Sequence, residues 1–243
     1  MIEEDQEIIL EEHSLVVREQ AFHMKKCLDQ GNLRDALKHS STLLTEMKTS
    51  KLTPKNYFNL CKSTFLLYTC LDMLVFDELA LLEEHFIDEH KKGRKMADLY
   101  ESVQHAGSVI PRLYLLITVG AAYVKTKEAP VKLILQDLLD MVKGVQQPTR
   151  GLFMRYYLLK MMKDILPDKG SEYEGEGGDT MDAVDFILKN MSEMNRLWVR
   201  LQHLSGNKDK EQRELERNEL RMTVGENIFR LSNLNGVTFE IYT

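Results

Sequence analysis

Apolar residues recur at intervals of three and four over long stretches of the chain. No segment alternates apolar with polar side chains over several positions, as a half-buried strand would. The spacing predicts an all-α fold of about nine helices, over roughly 3–29, 33–49, 54–90, 96–107, 111–126, 130–144, 148–165, 180–204 and 208–232. One of them is not amphipathic. From Leu113 to Val124 the chain reads LYLLITVGAAYV, with Thr118 as its only polar side chain. A helix that is apolar all round is either buried on every side or spans a membrane. Twelve residues fall short of the ~20 needed to cross a bilayer, so this is expected to be a central core helix. Arg112 sits in its first turn, at the positive end of the helix dipole where a carboxylate would be preferred. The arginine is expected to pair with a carboxylate or carbonyl, from another protein or from Glu101 on the preceding helix.

Prolines punctuate this pattern. Pro54, Pro111, Pro130 and Pro148 each stand just before an apolar helical run, where a missing N–H costs nothing. Pro167 follows KMMKDIL and is expected to stop a helix. Helices of this length joined by short turns form antiparallel pairs, which suit an α-solenoid of the HEAT or armadillo kind. A compact helical bundle satisfies the same pattern, and periodicity alone leaves both open.

Composition narrows the function classes. A formal charge of −6 and a pI near 5.7 oppose nonspecific nucleic-acid binding, which needs a net basic surface. The three cysteines (Cys27, Cys61, Cys70) lack metal-ligand spacing and suit a reducing cytosol. The opening MIEEDQEIILEEHS is acidic where a signal peptide would be basic. Residues 168–180, DKGSEYEGEGGDT, are acidic and glycine-rich, and a flexible loop is expected there. The charged stretch KDKEQRELERNELR (Lys208–Arg221), with pairs such as Glu214 and Arg217, reads as a solvated outer helix.

No catalytic constellation is visible. His85 and His90 are five residues apart, which turns their imidazoles about 140° from one another on a helix, so they do not share a metal and are expected to be surface histidines. His13 and His23 are too far apart along a helix for joint ligation. There is no glycine-rich phosphate loop, no GxSxG elbow and no CxxC. Trp198, with Met194, Leu197 and Leu201, falls on an apolar stripe and reads as core, as do Met154, Met161 and Met162. The chain is expected to be no enzyme and to need no cofactor or metal.

PRLYLL (Pro111–Leu116) resembles the signature near the N-terminus of the retromer large subunit, the vacuolar protein sorting-associated protein 35 family. The likeness extends through MKKCLDQGNLRDALKHSSTLLTEMKTSKLTPKNYFNL (Met24–Leu60), MADLYESVQHAG (Met96–Gly107), GVQQPTRGLFMRYYL (Gly144–Leu158) and MNRLWVRLQH (Met194–His203). KTKEAPVK (Lys125–Lys132) and LPDKGSEYEG (Leu166–Gly175) are most similar to plant members.

This resemblance implies a HEAT-like solenoid, of which residues 1–243 would be one N-terminal segment. It implies a noncatalytic scaffold of a cytosolic coat that retrieves transmembrane receptors from endosomes to the Golgi. The chain would be cytoplasmic and peripheral on endosomal (prevacuolar) and Golgi membranes. The family's N-terminal part binds an arrestin-fold subunit through this motif. Carried over, the partner-binding residues are Pro111, Arg112, Leu113, Tyr114, Leu115 and Leu116. Sorting nexins and a small endosomal GTPase are further implied partners.

Two departures from the family stand out. Its members are much longer, so the region that binds the phosphoesterase-fold subunit is not expected here, and a solenoid cut without a polar cap is expected to associate. Secondly, Cys61–Leu74 (CKSTFLLYTCLDML) stands where the family passes almost directly from YFNL to VFDEL. That is a net insertion of about 11 residues, close to three helical turns, and reads as an unselected insert. An alternative to the scaffold is a truncated variant that occupies the arrestin-fold subunit without completing the coat. An unrelated helical-repeat module is another.

Overall fold

A computed structural model describes residues 2–61, 75–105, 107–201 and 210–237. Among these residues the chain is all-α, as the spacing predicts. The helices are α1 (Ile2–Asp29), α2 (Leu33–Leu43), α3 (Pro54–Cys61), α4 (Val75–Lys91), α5 (Met96–Gln104), α6 (Val109–Lys125), α7 (Val131–Val142), α8 (Pro148–Met162), α9 (Thr180–Leu201) and α10 (Lys210–Ser232). A 3₁₀ helix, Leu44–Lys48, extends α2. Residues 62–74, nearly all of the expected insertion, lie outside the described residues. The segment expected as one helix over 54–90 therefore shows its two ends, as α3 and α4.

The chain divides into two compact units, Met1–Val119 and Gly120–Thr243. In the first, α1 ends where Gly31 adopts φ 69°, a left-handed conformation that costs glycine little. Gly31 N–H donates to Leu28 O and Asn32 N–H to Cys27 O, both at 2.9 Å, the bond pair that closes a helix on a left-handed residue. Asn32 then caps α2 by accepting from Asp35 N–H. This turn sends α2 back along α1. Gln20 meets His39 at 2.9 Å and His13 meets Glu46, so positions rising on one helix fall on the other. Val17, Ala21, Met24 and Leu28 of α1 are buried, as are Leu33, Ala36 and Leu43 of α2. Gln6 holds Lys51 O and Thr53 N–H at the start of α3, while Lys25 pairs with Glu78 of α4 at 2.8 Å.

In the second unit α9 is central. It runs antiparallel to α8, where Asn190 Nδ2 donates to Arg155 O, and antiparallel to α10, where Trp198 Nε1 donates to Arg217 O at 2.9 Å. It runs parallel to α7: Lys132 meets Asp182 at 2.7 Å near their starts, and Gln146 meets Arg200 near their ends. Neighbours antiparallel and next-neighbours parallel is the packing of stacked helix pairs. The α8–α9 contact is close because residue 151 is glycine. A Cβ there would stand 2.7 Å from both Val145 O and Leu197 Cδ1.

Two details depart from the sequence reading. Trp198 is half-buried, with the Arg217 guanidinium 4.6 Å from its ring centre, while Met194, Leu197 and Leu201 are buried as expected. Helix α10 carries exposed Glu214, Asn218 and Arg221 but also buries Leu220, Val224, Asn227 and Leu231, so it is amphipathic. The 163–179 connection carries hydrogen bonds from backbone N–H groups. Lys132 N–H donates to Gly177 O, Asn235 N–H to Asp168 Oδ2, and Gly175 and Gly178 exchange both N–H···O bonds.

Candidate partner-binding site

The site is built from the first half of α6 and the helices of the first unit that surround it. Pro111 is the third residue of α6. It is tolerated because only from Arg112 onward does the helix need N–H donors: Arg112 N–H donates to Ser108 O at 3.1 Å. From there the continuous apolar run is buried as expected. Leu113, Tyr114, Leu115, Leu116 and Ile117 are all at most 6% exposed. The Tyr114 ring packs on Phe76 of α4 with centroids 6.3 Å apart. The buried Thr118 hydroxyl donates to Tyr114 O at 2.9 Å, so the one polar side chain of the run is satisfied.

Five of the six PRLYLL residues are thus buried, and Arg112 alone is half-buried. Arg112 also takes part in an interaction within the chain. The motif is mainly a packing element with one charged group near the surface. Arg112's expected neighbour on α5, Glu101, is exposed.

The geometry adds something absent from the motif. Helices α2 and α5 form the walls of a groove of about 940 Å³, and Leu115 of α6 contributes to it. Its rim carries Arg34, Lys38, Arg94 and His105 against a single acid, Asp35. Arg94 is partly neutralised by Glu89 at 3.3 Å, whereas Arg34 and Lys38 are exposed. The N-terminus of α2 opens onto the same groove and adds the positive end of its dipole. An acidic chain therefore presents a cationic concavity beside its apolar helix.

The family of this chain follows from matches that take in that whole region. The family model described as "Vacuolar protein sorting-associated protein 35" matches residues 9–243. The chain belongs to the vacuolar protein sorting-associated protein 35 family. It is 48% identical to "Vacuolar protein sorting-associated protein 35A" of Arabidopsis thaliana over 98% of this chain. It is 49% identical to the Dictyostelium discoideum protein over 99% and 45% identical to the Schizosaccharomyces pombe protein over 93%. The chain spans 29%, 29% and 26% of the lengths of those relatives.

Other groups in this family member have structural surroundings. His85 Nε2 lies 3.9 Å from Glu89, and both side chains are mostly buried, so the surface placement expected for His85 is corrected. Burial, the larger effect, holds the His85 pKa below its usual value, opposed by the Glu89 carboxylate. His23 stacks on His39 with centroids 5.2 Å apart. Among the described residues no group of three His, Cys, Asp or Glu is arranged to hold a metal. None of their helices is long and apolar enough to cross a membrane.

Sequence reasoning missed Arg155, the largest fully buried side chain. Its guanidinium lies in the α8–α9 seam with Glu193 4.0 Å away, and its nitrogens have no hydrogen-bond partner among the described residues. The available signal was a cation inside the apolar run GLFMRYYLL.

Proposed function

We propose that this chain is the N-terminal, partner-binding portion of a noncatalytic scaffold subunit of the retromer coat, and that the face formed by Arg112 and the α2–α5 groove takes the arrestin-fold subunit. The observation that carries the reading is the groove itself. A cationic rim stands beside PRLYLL, and the buried Leu115 of the motif lies beneath the groove. The buried residues Pro111, Leu113, Tyr114, Leu115 and Leu116 act by holding α6 in place. Arg112, Arg34 and Lys38 supply the charge that a partner carboxylate or carbonyl would meet.

Capture of the purified arrestin-fold subunit tests this. Arg34→Glu with Lys38→Glu alters exposed side chains only. It is expected to abolish capture while leaving helicity by circular dichroism unchanged, and Arg112→Glu is expected to do the same. Full capture by both variants would refute the assignment of this face. Loss of helicity in Arg112→Glu alone would show that this residue serves the fold.

The alternative reading is a variant that occupies the arrestin-fold subunit without completing the coat. Capture of the arrestin-fold subunit but not the phosphoesterase-fold one supports that reading, and capture of both opposes it. Sorting nexins and a small endosomal GTPase would reach the chain through the assembled coat, placing it peripherally on endosomal and Golgi membranes for receptor retrieval.

A further inference from the structure

Helix α1 presents a second feature, independent of the groove. Its inner face packs within the first unit, yet Ile8, Leu15 and Phe22 are 59%, 55% and 65% exposed on its outer face. They are spaced by seven residues. Seven residues fall only about 20° short of two full turns, so the three side chains form one stripe along the helix. Asp5, Glu12, Glu19 and Lys26 flank the stripe on one side, and Glu11 and Arg18 on the other. All are exposed except Arg18, which is half-buried.

Charge is divided unequally along this helix. Residues 3–12 carry six carboxylates and no cation, whereas the second half holds Arg18, Lys25 and Lys26 against Glu19 and Asp29, with Lys25 already paired to Glu78. A parallel pairing of two such helices would set the acidic halves against each other. An antiparallel pairing sets each acidic half against the other copy's basic half.

We propose that the outer face of α1 is a self-association surface that pairs antiparallel with α1 of a second copy of this chain. With Leu15 on the twofold axis, Ile8 meets the second copy's Phe22. On the flanks, Asp5 meets Lys26 and Glu11 meets Arg18, each occurring twice by symmetry. Glu12 against Glu19, also occurring twice, is the like-charged meeting in this register. Within one helix Glu11 pairs with Arg18 at 3.3 Å, and the intermolecular pair would take its place. Three apolar layers make a small interface, so the dimer depends on concentration.

Sedimentation equilibrium of the 243-residue chain tests this. The mass is expected to rise from 28.2 kDa toward twice that value as concentration increases. Leu15→Glu places two carboxylates at the twofold and is expected to hold the mass at 28.2 kDa throughout, with unchanged circular dichroism. Lys26→Asp is expected to weaken dimerisation about tenfold, since two attractive pairs become repulsive. Adding Asp5→Lys in the same chain is expected to restore it. A wild-type chain that stays monomeric would overturn the proposal. So would a dimer that survives Leu15→Glu, which would put the contact elsewhere, for instance on the α10 face bearing exposed Met222 and Phe229. Failure of the double variant to recover would overturn the antiparallel register.

Discussion

Single residues in this chain act through how little room, or how little water, surrounds them. Gly151 is held between Val145 O and Leu197 Cδ1, each 2.7 Å from where a Cβ would stand. A leucine tip can swing away, but a backbone carbonyl cannot without moving the start of α8. Gly151→Ala should therefore destabilise the chain by about 1–3 kcal/mol, measured as a lower urea midpoint at unchanged slope. His85 offers a pH readout. Burial holds its folded pKa below the ordinary imidazole value near 6.5, so the folded state binds its proton more weakly than the unfolded chain does. The resulting stability is complete above about pH 6.5 and is lost as pH falls from there toward the lowered folded pKa. His85→Gln should narrow the gap between urea midpoints measured at about pH 7.5 and pH 5.5. An unaltered gap would place that acid sensitivity elsewhere.

At the scale of elements, what could be read from the sequence was whatever depends on neighbours along the chain. The run LYLLITVGAAYV has no polar face, so burial of α6 followed from it directly. The segment 33–49 is different: it passes from α2 into a 3₁₀ turn, where Thr42 and Thr45 donate to the carbonyls of Lys38 and Ser41. Such back-bonding perturbs helices, and periodicity does not register it. The groove was also invisible, because its walls come from α2 and α5, which lie far apart in the sequence. Arg155 belongs to the same class, since its burial arises only when α9 covers α8. Burial also pushes the Arg155 guanidinium pKa down, with Glu193 opposing. A buried cation with so distant a carboxylate is a poor source of stability. Arg155→Met, which keeps an unbranched stem, should leave the thermal midpoint unchanged or raise it, by the equivalent of up to about 4 kcal/mol. A fall in midpoint would mean that the guanidinium stabilises the seam.

For the whole molecule, charge and hydrophobicity bear on how it could meet a membrane. Among the described residues no helix is long and apolar enough to span a bilayer, and the formal charge is −6. Anionic cytoplasmic leaflets attract clustered basic residues at about 1 kcal/mol each near the surface. Among the described residues, exposed cations gather at Arg34 and Lys38, with Asp35 beside them, and along Lys91, Lys92, Arg94 and Lys95, where Asp88 pairs with Lys91 and Glu89 with Lys92 and Arg94. The surrounding net negative charge opposes even that attraction, and screening limits its reach to about 8 Å at physiological salt. On the proposed reading as a coat subunit, membrane association of this family member comes through its partners. In flotation with vesicles rich in phosphatidylserine, the chain alone is expected to stay in the dense fraction at physiological salt. It should float when the arrestin-fold subunit is added together with a lipid-binding partner. If the chain floats alone, the Arg34→Glu, Lys38→Glu variant identifies the cause. Loss of flotation would assign the groove rim to lipid, and retention would point to the exposed apolar stripe of α1.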